Sequence, residues 1–286
     1  MATQATIWEQ FLQPVFRFLI DESALRKLSN SINWTTECDC ISNPNLVYPH
    51  YYKSQNFHGV DNGYLSSSAA VTYDAVTQYV LAPNETWIRE EAIQKIGGKP
   101  RRIIDLGCGT GSTTLLLKQA FPEAEVTGLD LSPYMLAVAD YKARQQGLDI
   151  NWMHGMAEDT GLEESSFDVV TMSLLFHETP PHITQQILTE CYRLLVPGGQ
   201  IIVLDGNQKT LRQTPWLTTI FEEPYIQEYA VGNLDGWLGA AGFETIRTED
   251  VWWTNQVSYG MKPLPTRDRF HSRYENIEPN ISPAIA

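Results

Sequence analysis

Asp105-Leu-Gly-Cys-Gly-Thr-Gly111 is the stretch that decides how this chain folds. The apolar run 102–106 before it reads as a strand, and residues 112–121 after it read as a helix. Glycines at 107, 109 and 111 let the backbone turn tightly and approach a ligand closely. The helix that follows offers N–H groups with no partner in its first turn. A loop built for a dinucleotide pyrophosphate has the spacing G-x-G-x-x-G. Here the spacing is G-x-G-x-G, with Ser112 where the third glycine would stand. Asp105 sits two residues before the first glycine, where a carboxylate repels pyrophosphate and suits an ammonium group. A nicotinamide dinucleotide is therefore disfavoured. The plainer alternative is a tight strand–helix turn that binds nothing.

Strand and helix patterns alternate downstream of this loop. Residues 126–129 form the next expected strand, and Asp130 closes it. An acidic residue at that point can accept hydrogen bonds from both hydroxyls of a ribose. Ser132 then caps a helix whose first residue is Pro133, a favoured pairing because proline lacks the N–H that would be unpaired there. That helix is expected to end near Gly147. Strands follow at 150–153 and 167–172, then a helix over 183–195. Pro197-Gly198-Gly199 reads as a turn into a strand at 200–204. Such alternation predicts a parallel sheet covered on both faces. After a helix near 234–241, residues 244–253 and 257–262 read as strands joined by Thr254-Asn255, so the sheet should finish as an antiparallel hairpin.

The N-terminal third is organised differently. Trp8, Phe11, Leu12, Val15, Phe16 and Leu19 recur at helical spacing. Their helix either packs on the main domain or forms part of a cap over a substrate. Residues 48–73 are aromatic, amide-rich and broken by glycines, without helix or strand periodicity. Long irregular loops in compact domains are often lids, and His58 and Tyr64 lie in this one. Helices are expected at 67–80 and 84–96. The division predicted is an N-terminal helical cap and lid over 1–82, a ligand-binding domain over 83–264, and a loose tail over 265–286.

The chain has 286 residues, of which 43% are hydrophobic, enough for one substantial core. Its net charge of −14 argues against nucleic acid and anionic lipid as partners. No run of about 18 apolar residues is present, so no stable membrane insertion is expected. The N-terminus lacks a basic stretch followed by an apolar one, so no secretory signal is expected. Four cysteines in a chain of this length do not make a disulfide scaffold, which points to a reduced, cytoplasmic location. Cys38-x-Cys40 is too short for a zinc knuckle, and no metal site is expected.

Four segments in order carry a family resemblance: Ile103-Ile-Asp-Leu-Gly-Cys-Gly-Thr-Gly111, Val126-Thr-Gly-Leu-Asp-Leu-Ser132, Ser166-Phe-Asp-Val-Val170 and Leu194-Leu-Val-Pro-Gly-Gly-Gln200. Together they resemble the successive motifs of class I S-adenosylmethionine-dependent methyltransferases, most closely the ubiquinone/menaquinone-biosynthesis group. The resemblance covers roughly residues 100–206 and not the first 80. It implies an α/β Rossmann-like sheet, mostly parallel with an antiparallel C-terminal hairpin, S-adenosylmethionine as cofactor and S-adenosylhomocysteine as product. By the same resemblance Asp105 and the Gly107 backbone hold the methionine amino group, with Cys108, Gly109 and Gly111 completing the loop. Asp130 holds the ribose, with Leu131 beside it. Where the family often reads Gly-Asp-Ala-Glu at the adenine, this chain reads Gly155-Met-Ala-Glu158. Met156 is a poor acceptor, which leaves the Ala157 N–H and the Glu158 side chain for adenine. Tyr64 is expected to close over the cofactor.

His177, in Ser173-Leu-Leu-Phe-His-Glu178 at the end of the fourth strand, is the candidate proton acceptor. It is equally suited to lining the pocket or capping the next segment. The aromatic stretch 207–229 would wall a small, apolar or aromatic methyl acceptor. The alternatives are a non-catalytic S-adenosylmethionine-binding regulator and a protein methyltransferase. The oligomeric state is not fixed by the sequence.

Overall fold

In the computed structural model, residues 21–57, 63–81, 83–216, 218 and 223–265 are described. The expected helix around 8–19, His58, Phe221 and the tail beyond 265 lie outside them.

A seven-stranded sheet carries the fold. Its strands are β1 (Arg102–Leu106), β2 (Glu125–Asp130), β3 (Asn151–His154), β4 (Phe167–Ser173), β5 (Leu195–Gly206), β6 (Glu244–Val251) and β7 (Asn255–Met261). The order is β3-β2-β1-β4-β5-β7-β6. The first five strands pair parallel, while β7 pairs antiparallel with both β5 and β6. The chain runs outward from β1 through β2 to β3, then returns to place β4 on the other side of β1. Loops leaving β1 and β4 therefore diverge, and the crevice between them is where open α/β sheets bind ligands.

Period-two alternation explains why the sheet is buried on both faces. Ile104 and Leu106 join the core with Val170, Met172, Ile187 and Leu188. Ile103 points the other way, with Val126, Val169, Ile202 and Leu117. Helices α1 (Glu22–Ser31), α2 (Trp34–Ile41), α3 (His50–Lys53), α4 (Ser67–Val80) and α5 (Glu85–Ile93) precede the sheet. Within it come α6 (Ser112–Ala120), α7 (Pro133–Gln146), α8 (Pro181–Leu194), α9 (Gln208–Gln213), α10 (Ile226–Val231) and α11 (Leu234–Ala240). Helix α7 begins and ends as its sequence dictates. The Met135 N–H donates to Ser132 Oγ, Pro133 opens the first turn, and Gly147 closes the helix at φ 64°. A third cluster joins α7 to the N-terminal segment through Met135, Val138, Phe57, Tyr64 and Ala70.

Two turns differ from the sequence expectation. Pro197-Gly198-Gly199 does not precede β5 but bulges within it: Leu195 pairs with Phe167, and pairing resumes at Gln200 with Val169. The bulge survives because Gly198 N–H donates to Lys262 O and Lys262 N–H to Gly199 O, which keeps the strand tied to its neighbour. The C-terminal hairpin reverses at Trp252–Thr254 rather than at Thr254-Asn255. Asn255 is held in register with both Gly206 and Val251, so the left-handed position falls on Trp252, at φ 55°. Residues 48–57, expected to be wholly irregular, contain the single turn of helix α3.

Candidate functional site

The glycine loop forms the floor. Gly107 has φ +65°, a left-handed conformation that favours glycine, and a Cβ there would press on the Leu175 side chain at 2.7 Å. Gly111, at φ +78°, turns the chain into α6, but its bare Cα faces Trp152 and Ala139. It is not among the residues that line the crevice, and it packs the loop against β3 and α7.

Asp130 braces this loop. Its Oδ2 accepts from Gly109 N–H at 2.7 Å and its Oδ1 from Ser132 N–H at 2.8 Å. Asp105 is held by hydroxyls, with Thr114 Oγ1 donating at 2.6 Å and Thr171 Oγ1 at 2.8 Å. Burial pushes each carboxyl up to about 6, against the opposing pull of those hydrogen bonds. Two carboxylates that are costly to ionise mark a place that gains from a cation or a strong donor.

The crevice above has two arms. The outer arm is lined by Gly107, Gly109, Asp130, Leu131, Ala157, Glu158, Leu175 and Glu178 on the sheet side. Tyr51, Tyr52, Phe57, Tyr64 and Tyr73 cover it. The inner arm is smaller and brings Arg89, Asp105, Cys108 and Thr113 together. Arg89 is fixed by Glu85 Oε1 at 2.7 Å and donates to Thr113 Oγ1 at 2.6 Å. The outer cavity measures about 60 Å³.

The aromatic cover is a strap tied down at several points. Phe57 and Tyr64 stack at 5.5 Å, and Tyr64 meets Tyr73 edge-on at 5.6 Å. The Tyr64 hydroxyl donates to Glu178 Oε1 at 2.7 Å, and its carbonyl accepts from Ser132 Oγ. The Tyr51 hydroxyl donates to Glu158 Oε1 at 2.8 Å. Further upstream, Asn43 N–H donates to His154 Nδ1 at 2.9 Å, while His154 Nε2–H donates to Leu131 O at 2.9 Å. That pattern requires neutral imidazole, and burial lowers the His154 pKa accordingly. Two buried polar atoms of the lining residues have no partner: Tyr52 Oη and Glu158 Oε2.

His177 stands apart from this cavity. The short 3-10 turn Phe176–Glu178 sends Phe176 into the core and Glu178 to Tyr64, while His177 Nδ1–H donates to Asp205 Oδ1 at 2.6 Å. Asp205 is wholly buried and also accepts from Phe176 N–H at 2.8 Å. Burial pulls the imidazole down, but Asp205 outweighs it and pushes the group up to about 9. A histidine held charged by Asp205 is a poor proton acceptor, and His177 is not among the residues that line the outer or inner arm. The Cys38 thiol is pushed up to about 11 by burial and by the charges of Asp39 and Glu37. Among the described residues no three His, Cys, Asp or Glu side chains group as metal ligands.

A family model described as a methyltransferase domain matches residues 103–199. The demethylmenaquinone methyltransferase of Geobacillus kaustophilus is 30% identical over 165 residues, 57% of this chain and 68% of that protein. The chain belongs to the class I S-adenosylmethionine-dependent methyltransferases. The Thermus thermophilus demethylmenaquinone methyltransferase is 34% identical over 140 residues, 49% of this chain and 63% of its own length. With the relatives from Deinococcus radiodurans and a Geobacillus strain, the matched part is 57–63% of each, less than two thirds. The fold recurs in Haemonchus contortus phosphoethanolamine N-methyltransferase 2 solved with S-adenosylmethionine, at 16% identity and TM-score 0.57, over 78% of this chain and 61% of that one. It recurs in human N-acetylserotonin methyltransferase, at 17% identity and TM-score 0.54, over 70% and 57%.

In this class I methyltransferase the sequence points to the loop, Asp130, Leu131, Ala157, Glu158 and Tyr64, and the crevice brings these together except for Gly111. It missed Tyr51, Tyr52, Tyr73 and Arg89. The tyrosines stand in or beside the aromatic segment already singled out, so that signal was present. Arg89 gave none: the residue is 4% exposed on a helix that reads as an ordinary amphipathic one.

Proposed function

We propose that this chain transfers the methyl group of S-adenosylmethionine to a small, partly apolar or aromatic acceptor. The observation that carries this reading is the charge of the outer arm. Among the described residues its lining contains Asp130, Glu158 and Glu178 and no lysine, arginine or histidine, under a cover of aromatic residues. A pyrophosphate finds no counter-charge there, whereas a sulfonium is attracted both by the carboxylates and by the rings. The fit extends to the inner arm, where Arg89 and Asp105 offer opposite charges to the carboxylate and ammonium of an amino-acid end. Asp130 suits the ribose hydroxyls.

S-adenosylmethionine supplies a methyl group on sulfur that an acceptor lone pair can displace in line. The protein supplies alignment and dryness. The strap excludes water, and Tyr64 and Tyr73 line the cavity together with Gly107 and Gly109. For an acceptor that must lose a proton, Glu178 is one of three carboxylates in the lining, with its Oε1 accepting from the Tyr64 hydroxyl. His177 and Asp205 anchor the turn that presents Glu178. Tyr51, Tyr52, Phe57 and Tyr64 cover the cavity, and closure of this cover over a bound ligand would keep the reacting atoms from water.

Calorimetry tests the reading. S-adenosylhomocysteine should bind with micromolar affinity as an order of magnitude, and NAD should give no heat. The reverse result rejects it. A screen of methyl-labelled cofactor against a metabolite extract, with mass identification of the labelled product, then names the acceptor. Cofactor binding without labelling of any small molecule would favour a regulatory protein.

A further inference from the structure

The glycine loop has a second brace, whose carboxylate lies outside both arms of the crevice. Thr110 stands between Gly109 and Gly111, which are at φ +54° and +78°. A residue flanked by two such joints has little backbone restraint of its own. Its side chain supplies the restraint: Thr110 is 1% exposed, and its hydroxyl donates to Asp74 Oδ1 on α4, 36 residues upstream. The same oxygen lies 3.5 Å from Ser112 Oγ, in the first turn of α6. Asp74 Oδ2 pairs with Lys142 Nζ of α7 at 2.7 Å, and that ammonium is 3.4 Å from both Thr110 Oγ1 and Ser112 Oγ. Three helices and the loop thus meet at one carboxylate. Asp74 and Lys142 are not among the residues that line either arm.

The neighbours of Asp74 on α4 do reach the crevice. Tyr73 lines both arms, and a Cβ at Gly109 would lie 3.9 Å from its Cε1. Thr77 stands one turn beyond Tyr73 on the same helix face. Its Oγ1 donates to Glu85 Oε2 at 3.4 Å, and Glu85 Oε1 holds Arg89. One side of α4 therefore carries a ring of the cover, the tie to the loop and a link to Arg89. The Asp74–Lys142 ion pair is partly exposed, and such pairs add little on their own. The bond from Thr110 has a buried donor and a charged acceptor, which makes it the stronger contact.

We propose that Asp74 is a positioning residue for the cofactor loop. Through Thr110 it fixes the loop in the ligand-free protein, and through the helix it shares with Tyr73 it sets the separation between Gly109 and that ring. A loop ordered beforehand loses less conformational freedom on binding, so Asp74 raises affinity without touching the ligand. Lys142 keeps the carboxylate turned toward Thr110. This inference rests on the S-adenosylmethionine reading and adds to it a residue that acts from outside the crevice.

The test combines calorimetry with S-adenosylhomocysteine on the full chain and hydrogen exchange of amides 107–113 in the ligand-free protein. Asp74→Ala should weaken binding roughly 5–20-fold, within the scale of one hydrogen bond to a charged group, and quicken exchange of the free loop. Asp74→Asn keeps an acceptor for Thr110 and should stay within about threefold of the wild type. A carboxylate that served only the ion pair would lose as much with asparagine as with alanine. Thr110→Val removes the donor and leaves the ion pair intact. The Asp74→Ala/Thr110→Val double variant should bind no more weakly than the weaker single one, since one tie cannot be lost twice. A folded Asp74→Ala protein with an unchanged dissociation constant overturns the proposal. Equal losses for Asp74→Asn and Asp74→Ala, or fully additive losses in the double variant, do the same. If Asp74→Ala does not fold, Thr110→Val decides: free-loop amides that exchange no faster than in the wild type overturn the proposal. A wild type that gives no heat with S-adenosylhomocysteine rejects the cofactor reading and this inference with it; wild-type affinity retained in Asp74→Ala rejects this inference alone.

Discussion

The glycine loop and the aromatic strap face each other across one crevice and are built by opposite means. Backbone makes the loop: three glycines at positive φ, a strand end and a helix start, braced by Asp130. Side chains make the strap: stacked rings and hydroxyls reaching to Glu158, Glu178 and α7. Backbone geometry tolerates few residue types, so it leaves a spaced motif in the sequence. A side-chain cover can be assembled from aromatic residues in many arrangements, so it leaves composition but no spacing. The same contrast divides the chemistry: the loop half is suited to holding what all members of the family share, and the strap half to whatever is particular to this chain.

The largest effect should come from the frame behind the loop half. Asp205→Ala removes the partner of a buried, charged His177 and strands Phe176 N–H, which should cost about 3–5 kcal/mol of unfolding free energy in denaturant titrations. A loss below 1 kcal/mol would mean His177 is neutral. Asp130→Ala should follow, weakening S-adenosylhomocysteine binding by about 1.5–3 kcal/mol while the protein still folds. An unchanged dissociation constant would mean the ribose is held elsewhere. Tyr64→Phe removes one strap tie and should cost about 1 kcal/mol, read as faster exchange of amides 50–57 with the loop unaffected. Equal changes in both regions would show that they are one unit.

The smallest effects are in pH dependence, and they have opposite signs in the two halves. Asp105 and Asp130 are raised in the fold from 3.8 to about 6, so their contribution favours the ligand-free fold below pH 4 and is lost as pH rises through 6. Binding of a cationic or donor-rich ligand needs the ionised forms, so affinity for S-adenosylhomocysteine should fall as pH drops below about 6. His154 is lowered. The unfolded chain takes up its proton first, so its contribution is complete above pH 6.5 and is lost as pH falls through the folded value. Strap exchange should therefore quicken in mild acid, and His154→Gln should flatten that response.

Legibility followed the same division. Helix α4, the Ser132-Pro133 start of α7 and the Gly147 stop are written locally, and the expected bounds fall within a residue of the observed ones. The bulge in β5 was misread because Pro197-Gly198-Gly199 has the same local chemistry as a free turn, and only pairing with Lys262 distinguishes the two. Trp252 at positive φ could not be foreseen, since nothing local makes tryptophan prefer that region. His177 was weighed as a base because the partner that charges it, Asp205, lies 28 residues away on a different strand. The site was visible wherever one segment sufficed and hidden wherever two had to meet.

The ties that fasten the strap also set an order of events in time. Asn43 reaches His154 across 111 residues, Tyr64 reaches Glu178 across 114, and Tyr225 reaches Tyr51 across 174. Closing loops of that size costs entropy before any contact repays it, so such contacts form late. The parallel units around β1, β2 and α7 involve far shorter closures and are expected to assemble first. During refolding the molecule should therefore pass through a stage in which the sheet is made and the crevice is still uncovered, with tyrosine and phenylalanine rings awaiting a surface that already exists.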